Sequence, residues 1–239
     1  MSLIIAVYVE EGLVLASDSR LTFNNRIEST DNSGKLTIVE REGVHHTDTA
    51  YKTFLCPNNI GISTSGTASI NGKTITGYME NFIRVKMSKG TNIDDVPKLL
   101  NDYFEQFKPL PVTTFFAAGY QPVNKDFAQK LYRVPLGSKP EEFDTSKPGI
   151  VWDGEKDILS RLFSPLFLER EGKYVPHEFH EVPFNLYSLQ DAIDFSQYAI
   201  KMTIDAMRFQ MRPKTVGGEI DILVLKPNSS FWITHKELH

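Results

Sequence analysis

Cysteine is nearly absent from this chain. Cys56 stands alone among 239 residues, so no intrachain disulfide can form and a reducing cytoplasm is the default location. It precedes Pro57 at a strand end, where packing rather than chemistry is its expected role. Excess positive charge is missing too. The 26 Lys and Arg stand against 30 Asp and Glu, a net charge of −4, which gives no reason to expect nucleic-acid binding. No apolar run approaches membrane-spanning length, and the N-terminus lacks a basic region followed by an apolar stretch. Internal repeats and low-complexity tracts are absent. His45-His46 has only Asp48 nearby, and His177 and His180 merely flank Glu178. Both groups read as solvated loop residues, so no metal or cofactor is expected. What remains, with 41% hydrophobic residues, can bury a large core and reads as one domain over 1–239.

Periodicity and punctuation divide the chain into alternating elements. Strands are expected near 2–9 and 12–18, a hairpin near 25–40, and strands near 50–55 and 59–65. A helix is expected from about 67 to 88, with Ile70, Ile75, Met79, Phe82, Ile83 and Met87 at helical spacing. Asn92 then caps a second helix that ends before Pro109 and Pro111. Strands near 112–120 and 128–134 follow, and Asp153-Gly-Glu-Lys-Asp opens a third helix reaching about Glu169. The segment Arg170 to Tyr187 reads as irregular. Ser188-Leu-Gln-Asp191 has capping-box spacing, with Asp for the usual Glu or Gln, and starts the longest helix. That helix runs to about Met211, with Met202, Met207 and Met211 as core. Strands near 216–225 and 230–235 close the chain. Two groups of strands with paired helices suggest two stacked sheets between helical layers.

The candidate chemistry lies at the start. After removal of Met1, Ser2 carries a hydroxyl and a free α-amine on the first residue of a strand. A Ser hydroxyl needs a base within hydrogen-bond reach. An α-amine, with an ordinary pKa of about 7.7–8.0, is partly unprotonated near neutrality. A nearby Lys disfavours the charged amine. Asp18, just past the second strand, can orient that Lys, and Arg20 can shape the local field. Alone, Ser at position 2 is an ordinary start to a protein.

Leu3-Ile-Ile-Ala-Val-Tyr-Val-Glu-Glu-Gly-Leu-Val-Leu-Ala-Ser-Asp18-Ser-Arg20 resembles the start of a mature proteasome β subunit and of the peptidase subunit of the bacterial ATP-dependent HslV protease. Lys52-Thr-Phe-Leu-Cys-Pro-Asn-Asn-Ile-Gly-Ile-Ser-Thr-Ser65-Gly66-Thr67-Ala68 resembles the family's Lys-bearing strand, its next strand and the small-residue turn opening the first helix. Val112 to Tyr120 with Lys130 to Val134 is similar to the central hairpin, and Val216 to Leu225 to the late Gly-Gly strand. These matches span nearly the whole chain in order.

The resemblance implies an α+β, four-layer αββα sandwich of the N-terminal-nucleophile (Ntn) hydrolase type, with an inserted hairpin at about 24–48. It implies a peptidase cleaving peptide or amide bonds. At the family spacing from Asp18, the nucleophile position falls on Ser2. Lys52, held by Asp18, would tune the amine. Amide N–H groups near Ser65 and Gly66 would hold the oxyanion, and Gly66-Thr-Ala68, read as a helix start, would supply free ones. Lys35 lies at nearly the right linear distance for the lysine, but it sits in a hairpin-turn signal, so strand context favours Lys52. Peptide or unfolded-protein substrates, a homo-oligomeric ring and room for an ATPase partner follow from the same likeness. The apolar girth of the first helix, with Tyr78, Phe82 and Val85, points the same way, the alternative being that the second helix of its own layer covers it.

The departures matter. Ser stands where Thr is usual. Trp152-Asp153-Gly154 replaces a Gly-Ser-Gly turn, and Pro213 and Val216 replace an Asp and a Ser near the amine. Either Asp153 takes over part of that network or the site is degenerate. The alternatives are therefore an inert proteasome-fold ring or scaffold subunit and a small-molecule amidase of the same superfamily.

Overall fold

The computed structural model describes residues 2–30 and 36–237. In chain order the strands before the first helix are β1 Leu3–Val9, β2 Gly12–Ser17, β3 Leu21–Thr30, β4 Leu36–Thr47, β5 Thr53–Cys56, β6 Ile60–Gly66, β7 Ser69–Ile70 and β8 Lys73–Thr74. Helices α1 Ile75–Lys86 and α2 Val96–Phe104 follow, then β9 Thr113–Val123, β10 Asp126–Pro135, β11 Glu141–Glu142 and β12 Gly149–Gly154. The chain continues through α3 Asp157–Phe163, β13 Phe167–Arg170, β14 Lys173–Pro176, α4 Leu189–Arg208, β15 Asp221–Lys226 and β16 Ser229–Thr234.

Two five-stranded antiparallel sheets dominate, ordered β12-β1-β2-β15-β16 and β11-β10-β9-β6-β5. Strand β1 has no polar alternation because both of its faces are buried. Leu3, Ile5, Val7 and Val9 join an apolar cluster with α3 and α4. Ile4, Ala6 and Tyr8 join a second cluster shared with β9, β10 and β15. A third cluster ties α1 and α2 to β5, β6, β9 and β10. Between the two sheets, β6 carries Gly61 against Leu15, Leu223 and Leu225. A Cβ there would stand 2.7 Å from a Leu15 methyl and 2.9 Å from a Leu225 methyl.

Several expected boundaries move. The first helix starts at Ile75 rather than near 67, because residues 69–74 form a miniature hairpin. Asn71 and Gly72 turn it with φ of 49° and 77°, the left-handed pair that an Asn-Gly turn supplies. Thr74 then caps α1, accepting from the Gly77 N–H at 3.4 Å. The third helix stops at Phe163, and the segment expected to be irregular contains the β13–β14 ribbon, turned at Glu171-Gly172 with positive φ. The late strand begins at Asp221, so residues 216–220 form an approach to it. The inserted hairpin is longer than expected, pairing Leu21 with Thr47. Helix α4 ends at Arg208, leaving Met211 exposed beyond it, whereas Met207 is buried. Its capping box forms as expected, with Ser188 and Asp191 exchanging bonds.

The width of the α1 apolar surface is absorbed within the chain. Phe82 meets Tyr103 edge-on at 5.4 Å and Tyr78 meets Phe107 at 4.8 Å. Only Val85 of the three girth residues stays largely exposed, at 53%, so α1 no longer argues for a neighbouring subunit. No helix of the described residues is long and apolar enough to cross a membrane. Gly61→Val should wedge the sheets apart and destabilise the fold by about 1–3 kcal/mol. Urea unfolding with an unchanged slope would measure this.

Candidate active site around Ser2

Asp18 sits at the centre of the site. It follows β2 and is fully buried, and each of its oxygens accepts two bonds. Oδ1 takes the Lys52 ammonium at 2.7 Å and the Leu3 N–H at 2.9 Å. Oδ2 takes the Gly217 N–H at 3.0 Å and the Arg20 N–H at 3.1 Å. Four donors from four segments compensate the desolvation of this carboxylate. Lys52, immediately before β5, is 1% exposed. Burial pushes its ammonium below the usual lysine range, against the opposing pull of Asp18. Lys35, the rival in linear distance, lies outside the described residues.

Ser2 is buried at the start of β1, one residue before the amide held by Asp18. Its carbonyl accepts the Glu155 N–H at 2.7 Å. Gly154 makes this approach possible. Its φ is +97°, and a Cβ there would stand 1.9 Å from the Ser2 carbonyl oxygen and 3.4 Å from the Ser65 Cβ. Only glycine fits. Ser2, Ser65 and the end of β12 therefore meet at one place.

Asp153 lies on β12 rather than in a turn before a helix, directly opposite Ile4 of β1. It accepts the Ser65 hydroxyl at 2.7 Å and pairs with Arg133 at 3.0 Å and Lys156 at 2.9 Å. Burial works to raise its carboxyl. The Ser65 hydrogen bond and the cations Lys156 and Arg133 outweigh that and hold it below the usual carboxylate range. Gly66 ends β6 opposite Thr113, and the Thr67 N–H donates to the Val112 carbonyl at 2.9 Å. Residues 66–68 therefore start no helix, and the expected set of free helix-start amides is absent there. The local reason is the hairpin of residues 69–74, which delays α1 until Thr74 can cap it.

Arg20 turns away from Asp18 and forks onto Asp48, at 2.6 and 2.7 Å. Gly217 and Gly218 serve close approach. A Cβ on Gly217 would stand 2.4 Å from the Arg20 guanidinium carbon. Val216 packs in the core. Cys56 is buried and its thiol is pushed up to about 12 by desolvation, which leaves it inert. His180 pairs with Glu178 at 3.5 Å, both exposed, and the described residues contain no group of three His, Cys, Asp or Glu placed to hold a metal.

Three features escape a linear reading. Glu155 is buried on Arg212 and on the Thr215 hydroxyl. Ser17, Thr53 and Ser63 share hydroxyl bonds of 2.8 and 2.9 Å behind Asp18. A second buried pair, Asp221 with Lys236, closes the far side. Asp221 alone left a signal, as a charge inside the apolar run Ile220-Asp-Ile-Leu-Val-Leu.

The paired antiparallel sheets with this β1–β2 start define a proteasome-like fold. Among solved structures, the chain is similar to the Gly-1 mutant of Anbu from Hyphomicrobium sp. strain MC1, with a TM-score of 0.56 at 15% identity, over 98% of this chain and 87% of that one. It is similar also to Anbu, described as an ancestral β-subunit, from Yersinia bercovieri, with a TM-score of 0.51 at 13% identity, over 97% and 87%. At these identities the likeness is one of fold. No protein-family profile and no curated protein sequence matches the chain.

Removing one member of a buried pair leaves the other uncompensated. Lys52→Met should therefore cost about 3–5 kcal/mol in chemical denaturation, with Asp18→Asn costing a comparable amount.

Proposed function

We propose that this chain is one proteasome-like Ntn-hydrolase domain over 1–239, a four-layer αββα sandwich that cleaves peptide or amide bonds through Ser2. The observation that carries the reading is the buried Lys52–Asp18 pair, bonded to the amide of the residue after Ser2. Cleavage of the Met1–Ser2 bond gives Ser2 its α-amine. The Ser2 hydroxyl then attacks the substrate carbonyl and the α-amine accepts the hydroxyl proton. Main-chain N–H groups near Ser65 and Gly66, at the end of β6 rather than at a helix start, receive the developing oxyanion. The α-ammonium returns the proton to the leaving amine, leaving an acyl ester on Ser2. Water hydrolyses that ester with the α-amine again as base. Lys52 contributes by disfavouring the charged amine. A peptide or unfolded polypeptide in the cytoplasm, handled in a homo-oligomeric ring with room for an ATPase partner, fits this chemistry.

One observation favours a second reading, an inert ring or scaffold subunit. Asp153 holds the Ser65 hydroxyl, so a buried carboxylate stands beside the place where negative charge would develop. A small-molecule amidase is the third reading.

Protein with Ser2 at its N-terminus should form a covalent adduct on Ser2 with a β-lactone or a peptide vinyl sulfone, read by intact mass and peptide mapping. Ser2→Ala should give none. Labelling elsewhere, or equal labelling of Ser2→Ala, would favour the scaffold reading. Asp153→Ser should increase the labelling rate by about tenfold, on the scale of one relieved like-charge interaction.

A further inference from the structure

The second buried ion pair stands one residue behind the first. Asp18 follows Ser17, and Ser17 lies across the β2–β15 pairing from Asp221. Lys52 follows Tyr51, whose ring lies 4.8 Å beneath the Lys236 ammonium and whose hydroxyl donates to the Lys236 carbonyl at 3.0 Å. Asp221 is fully buried. It holds the Lys236 ammonium on Oδ2 and the Lys236 N–H on Oδ1 at 3.0 Å. Two Asp–Lys pairs thus run side by side through the core end of the site.

Lys236 and His235 line a groove of about 660 Å³ between α4 and the β15–β16 end, whereas Asp221 lies buried. There His235 stacks on Trp232 at 3.9 Å and on Tyr51 at 4.9 Å, with Nδ1 3.5 Å from Asp221. A surface salt bridge has little influence at a distance, because water screens it. A pair with both members buried is screened far less. Such a pair is also costly to keep and is weak evidence for stability on its own, so its placement beside Lys52 calls for a role.

We propose that Lys236 is a positioning residue of the Ser2 site: held by Asp221, it forms a second ion pair that backs Lys52–Asp18 and sets a buried positive charge against the Lys52 ammonium. This rests on the Ser2 reading above. Burial is the main opponent of the charged form of Lys52 and Lys236 adds to it, whereas Asp18 and, to a lesser degree, Asp48 support it. Asp48 is itself engaged by Arg20. His235 adds positive charge at Asp221 when protonated. Asp153 and Glu155 flank the Ser2 end. Within this arrangement the balance between Asp221 and Lys236 sets the sign of the field reaching Lys52 and, beyond it, the α-amine.

Opposite charge changes should therefore move the amine in opposite directions. The test uses full-length protein released with Ser2 at its N-terminus by cleavage of a leader, with serine labelled by ¹⁵N. The α-amine is titrated by NMR, and β-lactone labelling is followed against pH. Lys236→Met leaves Asp221 unopposed and should raise both midpoints by about 1 pH unit, whereas Asp221→Asn leaves Lys236 unopposed and should lower them by about as much. Lys236→Arg and the double variant Asp221→Asn/Lys236→Met should stay near the wild-type midpoints. Loss of packing alone moves the extent of labelling, not its midpoint in two directions. Unchanged midpoints, or shifts of one sign, would overturn the proposal while labelling upheld the Ser2 reading. Opposite NMR shifts in a protein that never labels would uphold the ion pair's action and sink the nucleophile. If Lys236→Met does not fold, the downward shift of Asp221→Asn decides alone.

Discussion

A single carboxylate organises this end of the molecule. Asp18 is buried, and an ionised carboxylate out of water must find donors or lose its charge. It finds them in Lys52, in the main chain of Leu3, in the main chain of Arg20 and in the main chain of Gly217. Each donor belongs to a different stretch of chain. The carboxylate therefore fixes the start of β1, the approach to β5 and the approach to β15 relative to one another. Whatever chemistry Ser2 performs, its backbone is placed by this charge.

The glycines around the site follow from the same crowding. Gly154 lets β12 pass against the Ser2 carbonyl, and Gly217 lets its strand approach pass against Arg20. Neither position has room for a methyl group. The polar residues that surround them are paired in turn: Asp153 with Ser65, Arg133 and Lys156, and Glu155 with Arg212 and Thr215. The site is therefore a pre-formed lattice of charges, in which a side chain is held by several fixed neighbours rather than by one flexible contact.

That lattice has two readings because Asp153 can act in two senses. A carboxylate near an α-ammonium favours the charged amine and so lowers the fraction of free base near neutral pH. Near a developing oxyanion it opposes the transition state. Its partners Arg133 and Lys156 offset both effects. Lys52 works the other way, disfavouring positive charge nearby. On the proposed reading, the reactivity of Ser2 is a balance among Asp18, Lys52, Asp153 and the outer pair Asp221–Lys236.

Much of this was legible in the linear chain. The unbroken apolar run of β1 marked a strand buried on both faces, and Ser188-Leu-Gln-Asp191 marked the start of α4, because these signals depend on near neighbours alone. Asn71-Gly72 and Glu171-Gly172 carried local turn signals as well, yet the helical spacing from Ile70 to Met87 and the two prolines at 176 and 183 masked them. Strand context, read through the family resemblance, favoured Lys52 over Lys35; the structure puts Lys52 on Asp18, and Lys35 lies outside the described residues. Tertiary structure alone decided which charges meet. Arg20 goes to Asp48, Asp221 goes to Lys236, and Gly217 lends its N–H to Asp18 across nearly the length of the chain. Sequence by itself determines the elements and their apolar faces, since those arise from periodicity. The partners of a buried charge are settled only when packing excludes water and fixes which donors lie within reach.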